Sequence, residues 1–230
     1  MYSKRNSSAL RIRKLVTIAM LCALAYVATL VFHFKVGFLT FDVKDAIIAL
    51  CSLLYGPIYG ASSAVLVALL EFISISDTGV YGLVMNVLSS ASFAVTVGLI
   101  YKYKRSFCGA ILGVCSAVVA MTAVMLLANY FITPYYMGVD RSVVVDLLPK
   151  LLLPFNLCKG VLNAAIMLLL YKPITTALRR VGFLPKGSGE YRFDLRSILL
   201  IVFSVVAFVS ALLFLFLYLG GSIEFFTSFT

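Results

Sequence analysis

The chain has 230 residues, of which 63% are apolar and only 12% charged, with a mean hydropathy of +1.08 and a formal net charge of +10. A soluble domain of this size cannot keep so much apolar surface from water, so the composition excludes one and requires a polytopic membrane protein. The positive charge does not call for nucleic acid either. Phosphate binding wants basic residues gathered on one solvated domain, and this chain has none.

Apolar runs fall at 14–33, 44–55, 57–75, 80–101, 107–133, 147–171 and 197–219. The first follows a basic N-terminus, but its apolar core is longer than that of a signal peptide and no cleavage site precedes the polar loop, so it reads as a retained helix. The second is too short to cross a bilayer upright. It forms either a tilted or partly inserted helix, or a helical hairpin with the third around Gly56-Pro57. With the N-terminus in the cytoplasm, most of the 19 basic residues fall on the cytoplasmic side, in 4–14, 102–105, 172–180 and 186–196. Lys35, Lys44, Arg141 and Lys150 then lie in outer loops with the acids Asp42, Asp45, Glu71, Asp77, Asp140, Asp146 and Glu224. Only Lys159 remains inside a span, and the net charge is mostly a matter of topology.

Enzyme signatures are absent. There is no P-loop, no H-E-x-x-H and no G-x-S-x-G, so neither catalytic residues nor a cofactor is expected. The lone His33, at the end of the first run, reads as an interfacial polar residue, since a metal site would want several ligands at suitable spacing. Cys22, Cys51, Cys108, Cys115 and Cys158 form no C-x-x-C pair and read as small apolar packing residues. No chain of membrane-embedded carboxylates is visible for proton or sodium coupling.

Polar residues do occur inside the apolar runs. In "LLLPFNLCKGVLNAA", Asn156, Lys159 and Asn163 are spaced i, i+3, i+7 on one helical face, which should look into the bundle. An ionisable residue at the centre of a span costs roughly 2.5–3.5 kcal/mol, so Lys159 needs either a ligand acceptor or a carboxylate from another helix. Pro154 lacks an amide hydrogen and loosens the helix, leaving a carbonyl for ligand or water. The preceding run ends in "LANYFITPYYMG", where Asn129 sits at a depth similar to Asn156, followed by Tyr130, Phe131, Tyr135 and Tyr136. The aromatics also suit an interfacial belt, and Asn156 and Asn163 also suit helix-to-helix hydrogen bonds.

The segments "FDVKDAIIALCSLLYGPIYGA", "VMNVLSS", "NYFITPYYMG" and "LPFNLCKGVLNAAIMLLLYKP", in this order along the chain, resemble the substrate-binding S component of an energy-coupling factor (ECF) transporter. The resemblance spans about residues 10–180 and is greatest to the riboflavin-specific branch, to which P-F-N-x-x-K-G is fairly specific. It implies an all-α, six-helix membrane bundle over 1–180 with an outward-facing pocket roofed by the loop between helices 1 and 2. It further implies flavin contacts at Asn129, Asn156 and Lys159, with Asn163 on the same face. Phe38, Phe41, Tyr130 and Phe155 are candidates for apolar walls around the dimethylbenzene end. The resemblance implies no ATPase of the chain's own. Import would come from docking on a transmembrane coupling (T) component driven by two cytoplasmic ATPases, with Ala19 and Ala23 as the small residues of the docking helix. The chain departs from the six-helix pattern in a basic cytoplasmic linker over 181–196 and an extra C-terminal transmembrane helix within 197–230, which would place the C-terminus outside.

The function expected is therefore that of a riboflavin-binding subunit of an ATP-driven importer in the bacterial plasma membrane. Its rivals are an S component for another vitamin, pyridoxine-like or pantothenate-like, since a carboxylate substrate would suit Lys159 better than a neutral ring, a self-contained secondary transporter, and a membrane structural protein.

Overall fold

A computed structural model describes residues 2–36, 38–104 and 107–183, with isolated positions between 202 and 217. Most of the linker and of the seventh apolar segment, together with the side chains of His33 and Cys108, lie outside the described residues. In chain order the elements are α1 (Tyr2–Val31), β1 (His33–Val36), β2 (Leu39–Asp42), α2 (Lys44–Tyr55), α3 (Pro57–Ser74), α4 (Gly79–Tyr103), α5 (Phe107–Met137), α6 (Arg141–Leu147) and α7 (Leu153–Arg180).

Among the described residues, five helical stretches are long and apolar enough to cross a membrane: Arg11–Val31, Pro57–Ser74, Gly79–Tyr103, Gly109–Met137 and Arg141–Arg180. The 12 residues of α2 reach only about 18 Å, too short for a crossing. What separates α2 from α3 is a single residue, Gly56, whose φ of 104° is open to glycine and strained for other residues, followed by Pro57 at the first turn of α3. The two helices pack against each other, and Gly98 of α4 fits into their elbow; a Cβ there would stand 3.1 Å from the Pro57 backbone nitrogen.

The segment between α1 and α2, expected as a loop, is an antiparallel β-hairpin in which Phe34 pairs with Phe41 and His33 with Asp42. Its second strand buries Leu39 and Phe41 against Val144, Leu151, Leu152 and Phe155. Alongside, α1 packs Ile18, Leu21, Cys22 and Ala25 onto Ile47, Ile48 and Cys51 of α2 and Ala64 and Val67 of α3. Its other side leaves Leu15, Met20, Leu24 and Val27 exposed, together with Ala19 and Ala23. The largest core joins α2, α4, α5 and α7 through Leu50, Phe93, Val97, Met121 and Met167.

A five-residue π-helical turn, Leu148–Leu152, joins α6 to α7. One residue separates it from Pro154, which cannot donate an amide hydrogen to the turn behind it, so the widened turn falls where the α-helical ladder is already interrupted. Among the isolated C-terminal positions, Ala211 is buried in the cluster around Phe155, and its carbonyl accepts from the Cys158 Sγ at 2.9 Å.

Candidate functional site

Where the pocket-side ends of α4, α5 and α7 separate, they leave a cleft of about 700 Å³ including its open mouth. The hairpin contributes Phe38, Leu39 and Thr40, and the segment before α4 contributes Thr78. From α4 come Tyr81, Gly82, Met85, Asn86 and Ser89, from α5 Met125, Asn129, Ile132, Thr133 and Tyr136, and from α7 Phe155, Asn156 and Lys159. Aromatic and aliphatic walls around a few polar groups suit a flat, partly polar small molecule.

Five of the sequence-predicted residues are brought together here: Asn129, Asn156, Lys159, Phe38 and Phe155. Three are not. Phe41 stands behind Phe155, edge to face, with ring centroids 6.0 Å apart. Tyr130 packs against Phe131 and carries the Arg141 guanidinium 5.1 Å above its ring. Asn163, although on the face of Lys159, is held by other partners: its Oδ1 accepts from the Ala46 backbone N–H at 2.9 Å, and its Nδ2 donates to the carbonyls of Asp42 and Lys159, both at 3.0 Å. Ala46 lies in the first turn of α2, whose own N-cap, Val43, offers no side-chain acceptor. Asn163 thus supplies from another helix the cap that α2 lacks.

The amides that line the cleft are held in a common way. The Asn129 Nδ2 donates to the Met125 carbonyl at 2.7 Å, and the Asn156 Nδ2 donates to the Leu152 carbonyl at 2.7 Å. Thr133 Oγ1 donates to the Asn129 Oδ1 at 2.8 Å. Each such bond uses one of the two amide hydrogens and leaves the other for a ligand acceptor.

Lys159 finds its carboxylate on the hairpin. Its Nζ is 2.9 Å from the Asp42 Oδ2, with the Thr40 carbonyl 3.5 Å away. An ammonium has three donor hydrogens, so at least one remains for the cleft. Asp42 Oδ2 also faces the Lys44 Nζ at 3.3 Å, and Lys44 in turn reaches the Glu71 Oε2 at 2.5 Å. Glu71 Oε2 accepts from the Asn86 Nδ2 at 3.0 Å, while Asp45 accepts from Ser90 and, at 3.4 Å, from Ser89. Burial alone would raise the Asp42 carboxyl, but the Lys159 and Lys44 ammoniums beside it outweigh that and hold it below the usual carboxylate range.

This cluster corrects the sequence reading in two respects. Asp42, Lys44, Asp45 and Glu71, expected in solvated outer loops, are each at most 3% exposed. Buried carboxylates are therefore present where only outer-loop ones were expected, and Lys159 is not the only buried cation. The missed signal was Glu71 within "VLVALLEFISI" and the charges of "FDVKDAII": ionisable residues flanked by apolar runs, which mark a site in a membrane protein. Asn86 and Ser89 were also missed, although "VMNVLSS" places both within apolar surroundings.

At the mouth, Lys35 of the hairpin pairs with Asp77 between α3 and α4, both side chains more than half exposed. The hydrogen bond from Lys35 holds the Asp77 carboxyl below its ordinary value. Among the described residues no cluster of three or more His, Cys, Asp or Glu side chains has the geometry to hold a metal.

The family pattern described as "ECF transporter, substrate-specific component" matches residues 13–174. The riboflavin transporter RibU of Staphylococcus aureus (strain TCH60) is 32% identical over 191 residues, which is 79% of this chain and 100% of that protein. The riboflavin transporter FmnP of Bacillus subtilis (strain 168) is 26% identical over 174 residues, 70% of this chain and 92% of that protein. A solved structure described as the S component of a bacterial ECF transporter superposes with a TM-score of 0.63 at 33% identity, covering 74% of this chain and 99% of that one.

Proposed function

Since the chain belongs to the substrate-specific components of ECF transporters, we propose that it captures riboflavin for an ATP-driven importer. The observation that carries this reading is Lys159, a cation buried at the wall of the cleft and already neutralised by Asp42. A pocket whose one lining ammonium is paired in this way suits a neutral, polar-edged ligand better than a carboxylate, which would compete with Asp42 for the same hydrogens. That weighs against the pantothenate-like rival, which carries a carboxylate. Lys159, Asn129 and Asn156 then bind the pyrimidine edge of the flavin, whose carbonyls accept from the ammonium and the free amide hydrogens. Phe38, Phe155 and the aromatic pair Tyr81 and Tyr136, with centroids 6.1 Å apart, enclose apolar parts of the ring system.

Energy comes from partners, a transmembrane coupling component and two ATPases. The exposed stripe of α1 containing Ala19 and Ala23 is the docking face for the coupling component. Each buried carboxylate already accepts from a neighbouring side chain, Lys44, Lys159, Ser89 or Ser90, which speaks against a self-contained ion-driven transporter. The chain sits in the bacterial plasma membrane with its N-terminus cytoplasmic, a reading that the distribution of its basic residues supports.

The test is flavin fluorescence titration of the purified protein. Wild type should quench riboflavin. Lys159→Ala, which removes a charge-assisted hydrogen bond, should weaken it by roughly tenfold to a hundredfold. Folded wild type without flavin binding would overturn the substrate assignment. Uptake that follows an ion gradient instead of the ATPase partners would overturn the coupling.

A further inference from the structure

The cleft has polar groups on α4 as well as on α5 and α7, and their chemistry is set from behind. Glu71 Oε2 already accepts from the Lys44 ammonium at 2.5 Å, so it is an acceptor oxygen. The group that Asn86 presents to that same oxygen at 3.0 Å must therefore be its NH2, which leaves the Asn86 carbonyl oxygen for other partners. One helical turn along, the Ser89 hydroxyl gives its single hydrogen to Asp45 and keeps only lone pairs. Asp45 and Glu71 are at most 3% exposed and held by several partners, so neither is free to turn away.

We propose that Asn86 and Ser89 form an acceptor wall of the cleft, held in that polarity by Glu71 and Asp45, and that this wall receives donor hydrogens of the bound ligand. Lys159 on α7 can only donate, so a ligand with acceptors along one edge and an N–H or O–H elsewhere enters in one orientation. Asn86 and Ser89 would be binding residues, Glu71 and Asp45 positioning residues. The choice of ligand rests on the riboflavin reading. In a flavin the donors are the ring imide N–H and the ribityl hydroxyls.

The experiment titrates riboflavin, 3-methylriboflavin, which lacks the imide hydrogen, and lumiflavin, which lacks the ribityl chain, against wild type, Asn86→Ala, Asn86→Leu, which keeps the branched shape without the polar atoms, and Glu71→Gln. Both Asn86 variants should weaken riboflavin roughly tenfold, yet bind the analogue that lacks the received donor as well as wild type does. Loss of the difference with 3-methylriboflavin identifies the imide N–H, and with lumiflavin the ribityl hydroxyls. Glu71→Gln can donate as well as accept, so it frees the Asn86 amide to turn and should shrink the preference for riboflavin over that analogue. A merely structural loss would lower all three affinities together. Equal weakening toward all three flavins, or none, overturns the acceptor wall while the riboflavin reading stands. Wild type that prefers riboflavin to neither analogue overturns it without any variant. Wild type that binds no flavin overturns the riboflavin reading and the wall together.

Discussion

The same three helices, α4, α5 and α7, do opposite things at their two ends. Away from the hairpin they close on one another through Phe93, Val97, Met121 and Met167, each buried and apolar. There Gly160 already touches its neighbours, since a Cβ would meet Val118 Cγ1 at 3.0 Å. Toward the hairpin they part around the cleft, and Ser89, Asn129 and Lys159 take the positions one or two turns further along. The dry half is held by packing, which adjusts to small changes among many weak contacts. The polar half is held by a few charged bonds between segments far apart in the chain, where each partner lost leaves another uncompensated.

The largest test of that contrast is Lys44→Met. It leaves Glu71 without its ammonium and Asp42 with only Lys159, and should lower stability by about 3–5 kcal/mol, read as thermal unfolding in detergent. A variant as stable as wild type would mean that the ion network does not hold the hairpin end. In the dry half, Gly98→Ala pushes a methyl group toward Ser52 and the Pro57 backbone; it should cost about 1–3 kcal/mol while leaving flavin affinity within about twofold. A large loss of affinity there would break the separation between the halves. Asn163→Ala removes the borrowed cap of α2 and should destabilise by about 1 kcal/mol, with hydrogen exchange rising first at Ala46.

The smallest effect belongs to Asp77→Asn at the exposed mouth. Screening leaves the Lys35 pair no more than about 0.5 kcal/mol. Because the folded carboxyl is held below its ordinary value, this contribution is complete above the unfolded pKa of about 4 and disappears as pH falls through the lowered folded one. Melting curves of wild type and Asp77→Asn should therefore converge in acid, and a gap that widens there would reverse the assignment.

Legibility followed the same division. Asn129, Asn156 and Lys159 stood out because each is polar within an apolar run, a contrast visible in a few neighbouring residues. Asn163 shared their face by helical spacing, yet at its level α7 meets the start of α2 instead of the cleft, and only the packing of those helices reveals that. Phe38 and Phe41 lie three residues apart in one apolar segment; once that segment is paired as a hairpin, the first lines the cleft and the second lies behind Phe155. The pairing of Lys159 with Asp42 crosses 117 positions and left no local trace.

By itself the sequence determined the membrane helices, their breaks at Gly56-Pro57 and Pro154, and the polar residues of α5 and α7 that needed partners. It could do so because in lipid the backbone must satisfy its hydrogen bonds within each helix, which makes span formation a matter of local hydropathy and local breakers. Tertiary structure alone decided which carboxylate neutralises which lysine, which amides open onto the cleft, and that α4 turns Asn86 and Ser89 toward it. Those outcomes depend on distances between segments brought together by packing, and a charge or an amide carries no local mark of the partner it will meet.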